Sequence, residues 1–322
     1  MAVYTKTTLA ELKKHFENYE IGELVDFVEI IDGIDNSNFI INTVTNKYIF
    51  TIFENRIDKN SLPYFIDFKE HLFAKNISCP RPIIAKNGQK ILDFNGKKTV
   101  LVSFLKGATL KPKDDGYYYS ITSHHCFLLG EILAKMHLAA MDFTPTRSND
   151  LGIDGFANIH DKIKDLLPQH DVSLEKLIIH NINLLKNKWQ KDLPKASCHL
   201  DLFPDNIFFE NNQLSGVIDF YFSATDLLIY DFAIAVNAWC FDKVQFNHEK
   251  FDNLLKGYQK HRQFSSAEMN FLQTALIGAA MRFLLSRLHD YFFTAKGSLV
   301  KVKNPDEYKN KLVFFLNNNI NN

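Results

Sequence analysis

Surplus charge of either sign is missing from this chain: 37 Lys and Arg stand against 37 Asp and Glu, for a formal net charge of zero. A balanced chain carries no electrostatic footprint for nucleic acid or an anionic membrane, so neither is expected as a partner. Cysteine is scarce. Cys79, Cys126, Cys198 and Cys240 are scattered, with no Cys-x-x-Cys pair. That pattern argues against a disulfide framework and reads as reduced structural thiols in a cytoplasmic protein. Neither Gly-x-x-x-x-Gly-Lys-Ser/Thr nor Gly-x-Gly-x-x-Gly occurs, which removes the P-loop and the dinucleotide-binding turn from consideration. Met1 to Phe16 holds Lys6, Lys13 and Lys14 but no apolar core, so no secretory signal is read there. Thr274 to Leu285 is apolar but short, and Arg282 interrupts it, which argues against a membrane span.

What the chain does have is a hydrophobic share of 46%, with 29 Phe that fall mainly in periodic apolar segments. Over 322 residues that suffices for a sizeable core in a two-lobed protein. Thr8 and Glu11 fit a capping box at the start of a short helix. β-branched and aromatic runs over 24–31, 38–44 and 47–53 read as strands. Residues 62–76 have helical spacing, with Phe65, Phe68, Leu72 and Phe73 on one face and Pro63 near the start. Asn87-Gly88 and Asn95-Gly96 predict tight turns around strands at 90–94 and 98–104. Beyond these, helices are expected at 120–141, 159–167, 174–190, 227–240, 251–261, 267–291 and 306–317, with a loop over 143–156. The fold class is therefore α+β and bilobal. Residues 1–104 form a small antiparallel-sheet lobe with one helix, 105–107 a hinge, and 108–322 a larger, mainly helical lobe. Adjacent His124 and His125 point to different faces of a helix, so no metal is assigned to them.

Cys198-His199-Leu200-Asp201-Leu202-Phe203-Pro204-Asp205-Asn206, followed by Val217-Ile218-Asp219-Phe220, carries the chemistry. Strand-like runs begin at Asn206 and end at Phe220, around a polar turn from Glu210 to Gln213. Paired as a hairpin, they would make Asn206 and Asp219 neighbours. One amide oxygen beside one carboxylate suits Mg²⁺, which keeps several waters and takes further ligands from phosphates. Asp201, a short turn away, would face a hydroxyl next to that metal and accept its proton. Arg282 and Arg287 lie in an apolar helix, where a guanidinium must meet an anion. That anion is either a substrate carboxylate or a structural one such as Asp290.

His-x-Asp-x-x-x-x-Asn followed by Ile-Asp-Phe is similar to the signature of the kinase-like phosphotransferases. With Pro204 before Asp205-Asn206, and no Gly after Asp219-Phe220, it resembles their small-molecule branch, the aminoglycoside-phosphotransferase-like family. Gly33 to Phe39, Cys79-Pro80-Arg81-Pro82, Phe220-Tyr221-Phe222, Asn237-Ala238-Trp239-Cys240 and Arg282 to Leu288 resemble the homoserine kinases within that family. The resemblance implies a protein-kinase-like fold, ATP and Mg²⁺ as cofactors, and L-homoserine as the small-molecule acceptor, phosphorylated on the way to threonine. It makes His199 and Asp231 the residues that shape the loop around Asp201. It sets Gly33, Asn36, Ser37 and Asn38 in a turn that covers phosphates, and Ser103 and Leu105 beside the adenine. Tyr221, Asn237 and Trp239 belong to the segments that point to homoserine. Many relatives carry a Lys on the third strand, paired with a Glu on the next helix. Here Thr51 takes that Lys position and Glu70 is the helix Glu, so either Lys47 or Arg56 reaches the phosphates or metal and backbone donors suffice. The alternatives are a kinase for another small alcohol (choline, ethanolamine, methylthioribose or an aminoglycoside) and an ATP-binding regulator without turnover.

Overall fold

Thr8 opens the first helix, α1 (Leu9–Phe16), with a reciprocal cap: its hydroxyl accepts from the Glu11 N–H, and the Glu11 carboxylate accepts from the Thr8 N–H. The computed structural model describes residues 4–31, 36–54, 58–294 and 302–320. Gly33 and Arg56 lie outside the described residues. Next come the strands β1 (Leu24–Ile30), β2 (Asn36–Thr43) and β3 (Lys47–Phe53), the helix α2 (Leu62–Ala74), and the strands β4 (Ile91–Phe94) and β5 (Lys97–Ser103). They form one antiparallel sheet in the order β1-β2-β3-β5-β4, with α2 inserted after the third strand. Pro63 sits in the first turn of α2, where a missing N–H costs nothing. Asn95 and Gly96, both at positive φ, close the β4–β5 hairpin. Asn87-Gly88 instead closes a local turn between Ala85 and Gln89, ahead of β4.

Phe39, Phe50, Ile52 and Leu101 pack on one sheet face with Leu12 and Phe16 of α1. The helix α2 is shared between the two halves of the molecule. Phe65 and Ile66 face the sheet, while Phe68 and Leu72 enter the large core of the helical part. The Tyr64 hydroxyl crosses the same seam to Ser197 Oγ at 2.7 Å.

The helical part contains β6 (Ala108–Thr109), α3 (Ser123–Ala140), α4 (Phe156–Ile163), α5 (Leu174–Lys188), β7 (Lys195–Cys198), β8 (Ile207–Glu210), β9 (Gln213–Val217), β10 (Ala224–Leu227), α6 (Leu228–Trp239), β11 (Phe241–Asp242), β12 (Gln245–Phe246), α7 (His248–Gln259), α8 (Ser266–Phe293) and α9 (Asp306–Asn317). Here β6, β8 and β9 form one small sheet, and β7 pairs with β10. Gly107, at φ +100°, carries the chain from the first sheet into the second. A Cβ there would strike the Phe209 carbonyl and the Ser215 hydroxyl. His125 caps α3 together with Thr122, so its role is structural. The most apolar stretch of α8 would be long enough to cross a membrane, yet 83% of it is buried within the protein. Its apolarity builds the core against α6 and α9.

Candidate active site

Asp201 sits on a loop just beyond β7, held from several sides. Leu200 adopts φ +63°, a conformation that costs a branched residue energy and persists only when neighbours enforce it. Its N–H donates to Asp231 Oδ1 at 2.8 Å, and its carbonyl accepts from the Arg282 guanidinium. The His199 N–H donates to Asp231 Oδ2 at 3.0 Å. The carbonyl of Leu202 accepts from the Trp239 indole N–H at 2.7 Å. His199 is buried and uses both ring nitrogens. Nε2 donates to the Ile218 carbonyl at 2.9 Å, and Nδ1 accepts from the Asp201 N–H at 3.2 Å. Burial lowers its pKa and keeps the ring neutral, as those two bonds require.

The hairpin pairing brings Asn206 and Asp219 together. Ile207 pairs with Val217, and the Ile218 N–H donates to the Asn206 carbonyl at 2.9 Å. The Asn206 side-chain amide donates to the Asp201 carbonyl at 2.7 Å and to Asp201 Oδ2 at 3.2 Å. With its nitrogen committed there, the amide oxygen is turned away from Asp201. Asp219, exposed and at φ +63°, lies two residues beyond the end of β9, next to the Ile218 that bonds Asn206. One neutral oxygen and one carboxylate fit a hard divalent cation with positions left for other oxygens. Asp201 has its carboxyl pKa pushed up to about 6, chiefly by burial, with Asp205 adding to the rise and Arg282, Lys303 and Asn206 opposing it.

Behind the loop, Asp231 is the buried clamp. Burial alone would raise its pKa, but the His137 hydrogen bond, the two imidazoles and the Leu200 N–H bring it below the usual range. His137 Nε2 lies 3.1 Å from Asp231 Oδ2, and its Nδ1 meets the Tyr258 hydroxyl at 2.7 Å. Cys198 lies close enough for the three to resemble a metal site. Both nitrogens of His137 and both oxygens of Asp231 are already in hydrogen bonds, however, and burial holds the Cys198 thiol well above its ordinary pKa. The trio is a structural clamp.

Several expected site residues stand elsewhere. Ser37 is fully buried; its hydroxyl donates to Glu54 and accepts from the N–H groups of Tyr4 and Thr5, so it ties down the N-terminal segment. Asn36 Oδ1 accepts from the Glu54 N–H. Asn38 and Thr51 bond each other at 2.7 Å, with Thr51 also facing the Tyr221 phenol. Glu70 pairs with Lys90 rather than with a cation in the cleft, and Lys47 lies over the Phe104 ring. The lysine brought toward Asp219 is Lys69, which pattern reading missed because it lies on the buried face of α2. It is 4% exposed, and its ammonium is 5.1 Å from the centre of the Tyr221 ring. Burial pushes its pKa down to about 8 against the pull of Cys79 and Asp219. Ser103 spends its N–H and hydroxyl on Arg81, whereas the peptide groups of Leu105 make no hydrogen bond among the described residues.

The expected acceptor residues also separate. Tyr221 is wedged edge-on against Phe53 and Phe65 at the seam between sheet and helices. Asn237 is buried and donates to the carbonyls of Ala233 and Leu276. Trp239 and Arg282 donate to the carbonyls of Leu202 and Leu200 in the loop around Asp201. Arg287 meets Glu307 at 2.6 Å and the Asn304 carbonyl at 2.9 Å, so its carboxylate partner is Glu307 and not Asp290.

Residues 26–269 match the phosphotransferase enzyme family. The homoserine kinase of Agrobacterium fabrum is 41% identical over 98% of this chain and 95% of its own length. That of Xanthobacter autotrophicus is 40% identical over 98% of this chain and 96% of its own. Among solved structures, an amicoumacin kinase in complex with AMP-PNP and Ca²⁺ superposes with a TM-score of 0.69 at 15% identity, covering 96% of this chain and 92% of that one. A spectinomycin phosphotransferase in complex with ADP and its antibiotic gives 0.66 at 13% identity, covering 97% and 95%. Those two likenesses speak for the kinase-like fold, and the sequence matches say more: the chain belongs to the phosphotransferase enzyme family, in the branch that holds the homoserine kinases.

Proposed function

We propose that this enzyme transfers the γ-phosphoryl group of ATP to the hydroxyl of L-homoserine, giving O-phospho-L-homoserine and ADP. The observation that carries the reading is the arrangement around Asp201: its carboxylate accepts from the Asn206 amide, and the hairpin that starts at Asn206 returns through Ile218 to Asp219. Asp201 orients the acceptor hydroxyl and takes its proton as the new P–O bond forms and the bond to the β-phosphate oxygen breaks. A pKa just below neutrality leaves this base ionised at pH 7 yet basic enough to help. Asn206 and Asp219 would hold Mg²⁺, which when bound offsets charge on the phosphates. His199 ties the base to the metal-binding strand, since its two nitrogens join Asp201 to Ile218. Residues 1–104 act as the nucleotide lobe and 105–107 as the hinge, where the peptide edge of Leu105, without a hydrogen bond among the described residues, is available to adenine. The four cysteines are buried free thiols, in keeping with a reducing compartment such as the cytoplasm.

The experiment is ADP release by the purified protein with Mg·ATP and a panel of L-homoserine, L-serine, L-threonine, choline, ethanolamine and an aminoglycoside. Homoserine is expected to give the highest kcat/KM. A higher value for choline or an aminoglycoside would overturn the acceptor assignment and leave the kinase assignment in place.

A further inference from the structure

Next to Asp201 the chain holds a loosely joined ion pair that the chemistry above does not use. Asp205 Oδ2 and Lys303 Nζ stand 3.7 Å apart, with 43% and 57% of their side chains exposed. That is longer than a closed charge-assisted hydrogen bond, which runs at about 2.7–2.9 Å. The two nearby arginines are held within the fold. Arg287 is closed onto Glu307 at 2.6 Å. Arg282, 1% exposed, donates through one terminal nitrogen to the Leu200 carbonyl, while its Nε makes no hydrogen bond among the described residues. Asp205 lies on the short turn that joins Asp201 to Asn206. Both members of the pair act on the Asp201 carboxylate, Lys303 favouring its charge and Asp205 opposing it. The surroundings are amphipathic: the Lys303 ammonium sits 4.9 Å from the Phe203 ring centre, and the Tyr118 phenol faces Asp205.

We infer that Asp205 and Lys303 together form the head-group site for a zwitterionic acceptor, Asp205 taking its α-ammonium and Lys303 its α-carboxylate. This rests on the homoserine reading and adds the residues that would enforce it. An α-amino acid carries opposite charges on one carbon, and a half-open Asp–Lys pair presents opposite charges at matching spacing. Entry of the zwitterion exchanges one loose ion pair for two direct ones. Two methylenes then separate the head group from the hydroxyl that Asp201 would receive. Serine, one methylene shorter, holds its oxygen away from the base when anchored by the same pair.

The test matches side-chain deletion to ligand deletion. ADP release is measured for the wild-type, Asp205→Asn, Lys303→Met and Lys303→Arg proteins. The acceptors are L-homoserine, 3-aminopropan-1-ol (no carboxylate) and 4-hydroxybutyrate (no ammonium). In Lys303→Met, the kcat/KM preference for homoserine over 3-aminopropan-1-ol should shrink by about 10-fold or more, while the preference over 4-hydroxybutyrate survives. Asp205→Asn should show the reverse pattern, and Lys303→Arg should restore most of the first preference. The KM for ATP should stay within about twofold throughout, since neither side chain is assigned to the nucleotide. Variants that retain both wild-type preferences would overturn the inference alone. Absence of homoserine turnover in the wild-type protein would overturn the acceptor reading and this inference with it.

Discussion

Arg282 and Trp239 reach from α8 and α6 to the carbonyls of Leu200 and Leu202, one on each side of Asp201. Both donors are buried, so each bond is made where water cannot replace it. The orientation of Asp201 is therefore set by the core of the helical part. Arg282 also lowers the Asp201 pKa through its charge. Replacing Arg282 by Met should lower kcat by about 10–100-fold, because Asp201 is both displaced and more protonated near neutral pH. The KM for ATP should change little. Trp239→Phe leaves the Leu202 carbonyl without its donor and should cost about 1–3 kcal/mol of stability, read by denaturant unfolding.

The pH dependence has a definite sign. With a folded-state pKa near 6, Asp201 loses its ability to accept a proton as pH falls through that value, so kcat/KM should drop on the acid side with a midpoint near 6. The same shift acts on stability in the opposite sense. The folded state binds this proton more tightly than the unfolded chain, so the stabilising contribution is full below about pH 4 and lost as pH rises through 6. Asp201→Asn should accordingly be more stable than the wild-type protein at pH 7.5 by about 1–3 kcal/mol. That gain should vanish near pH 4, as measured by unfolding at each pH.

The two proposed metal ligands are distinguishable. Asp219→Ala removes a charge and should raise the Mg²⁺ concentration for half-maximal activity more than Asn206→Ala, which removes a dipole. Asn206→Ala should additionally lower kcat at saturating Mg²⁺, because its amide also holds Asp201. A Mg²⁺ titration unchanged in both variants would refute the hairpin assignment.

Lys69 carries a measurable cost. Its pKa near 8 means that the fold disfavours its charge, a penalty present below that pH and relieved as pH rises from about 8 to 10.5. Lys69→Met, similar in length and apolar, should therefore raise stability at pH 7 by about 1–3 kcal/mol. The gain should fade toward pH 10.

The sheet and the helices were legible because their signals are local: capping at Thr8 and Glu11, alternation along β1 to β3, and helical spacing in α2 and α8. The hairpin that joins Asn206 to Asp219 was legible for the same reason. What the sequence hides is direction. Trp239, Asn237 and Arg282 look like ligands for an acceptor, yet they point inward to backbone carbonyls that only the folded chain brings to them. The Ser37 hydroxyl is claimed by Glu54 across the sheet, a pairing with no sequence mark. The short strands β7 and β10 escaped notice because four-residue segments carry too little periodicity to register. The Asp205–Lys303 pair is close only because the C-terminal segment returns to the catalytic turn.

The proposed role of Asp201 as the base in phosphoryl transfer from ATP to homoserine can be read from single-turnover phosphorylation of L-homoserine with Asp201→Asn alongside the wild-type protein, together with direct measurement of Mg·ATP binding. The rate should fall by several orders of magnitude, on the order of 10³ or more, with nucleotide affinity essentially retained. Near-normal phosphoryl transfer by folded Asp201→Asn would contradict it.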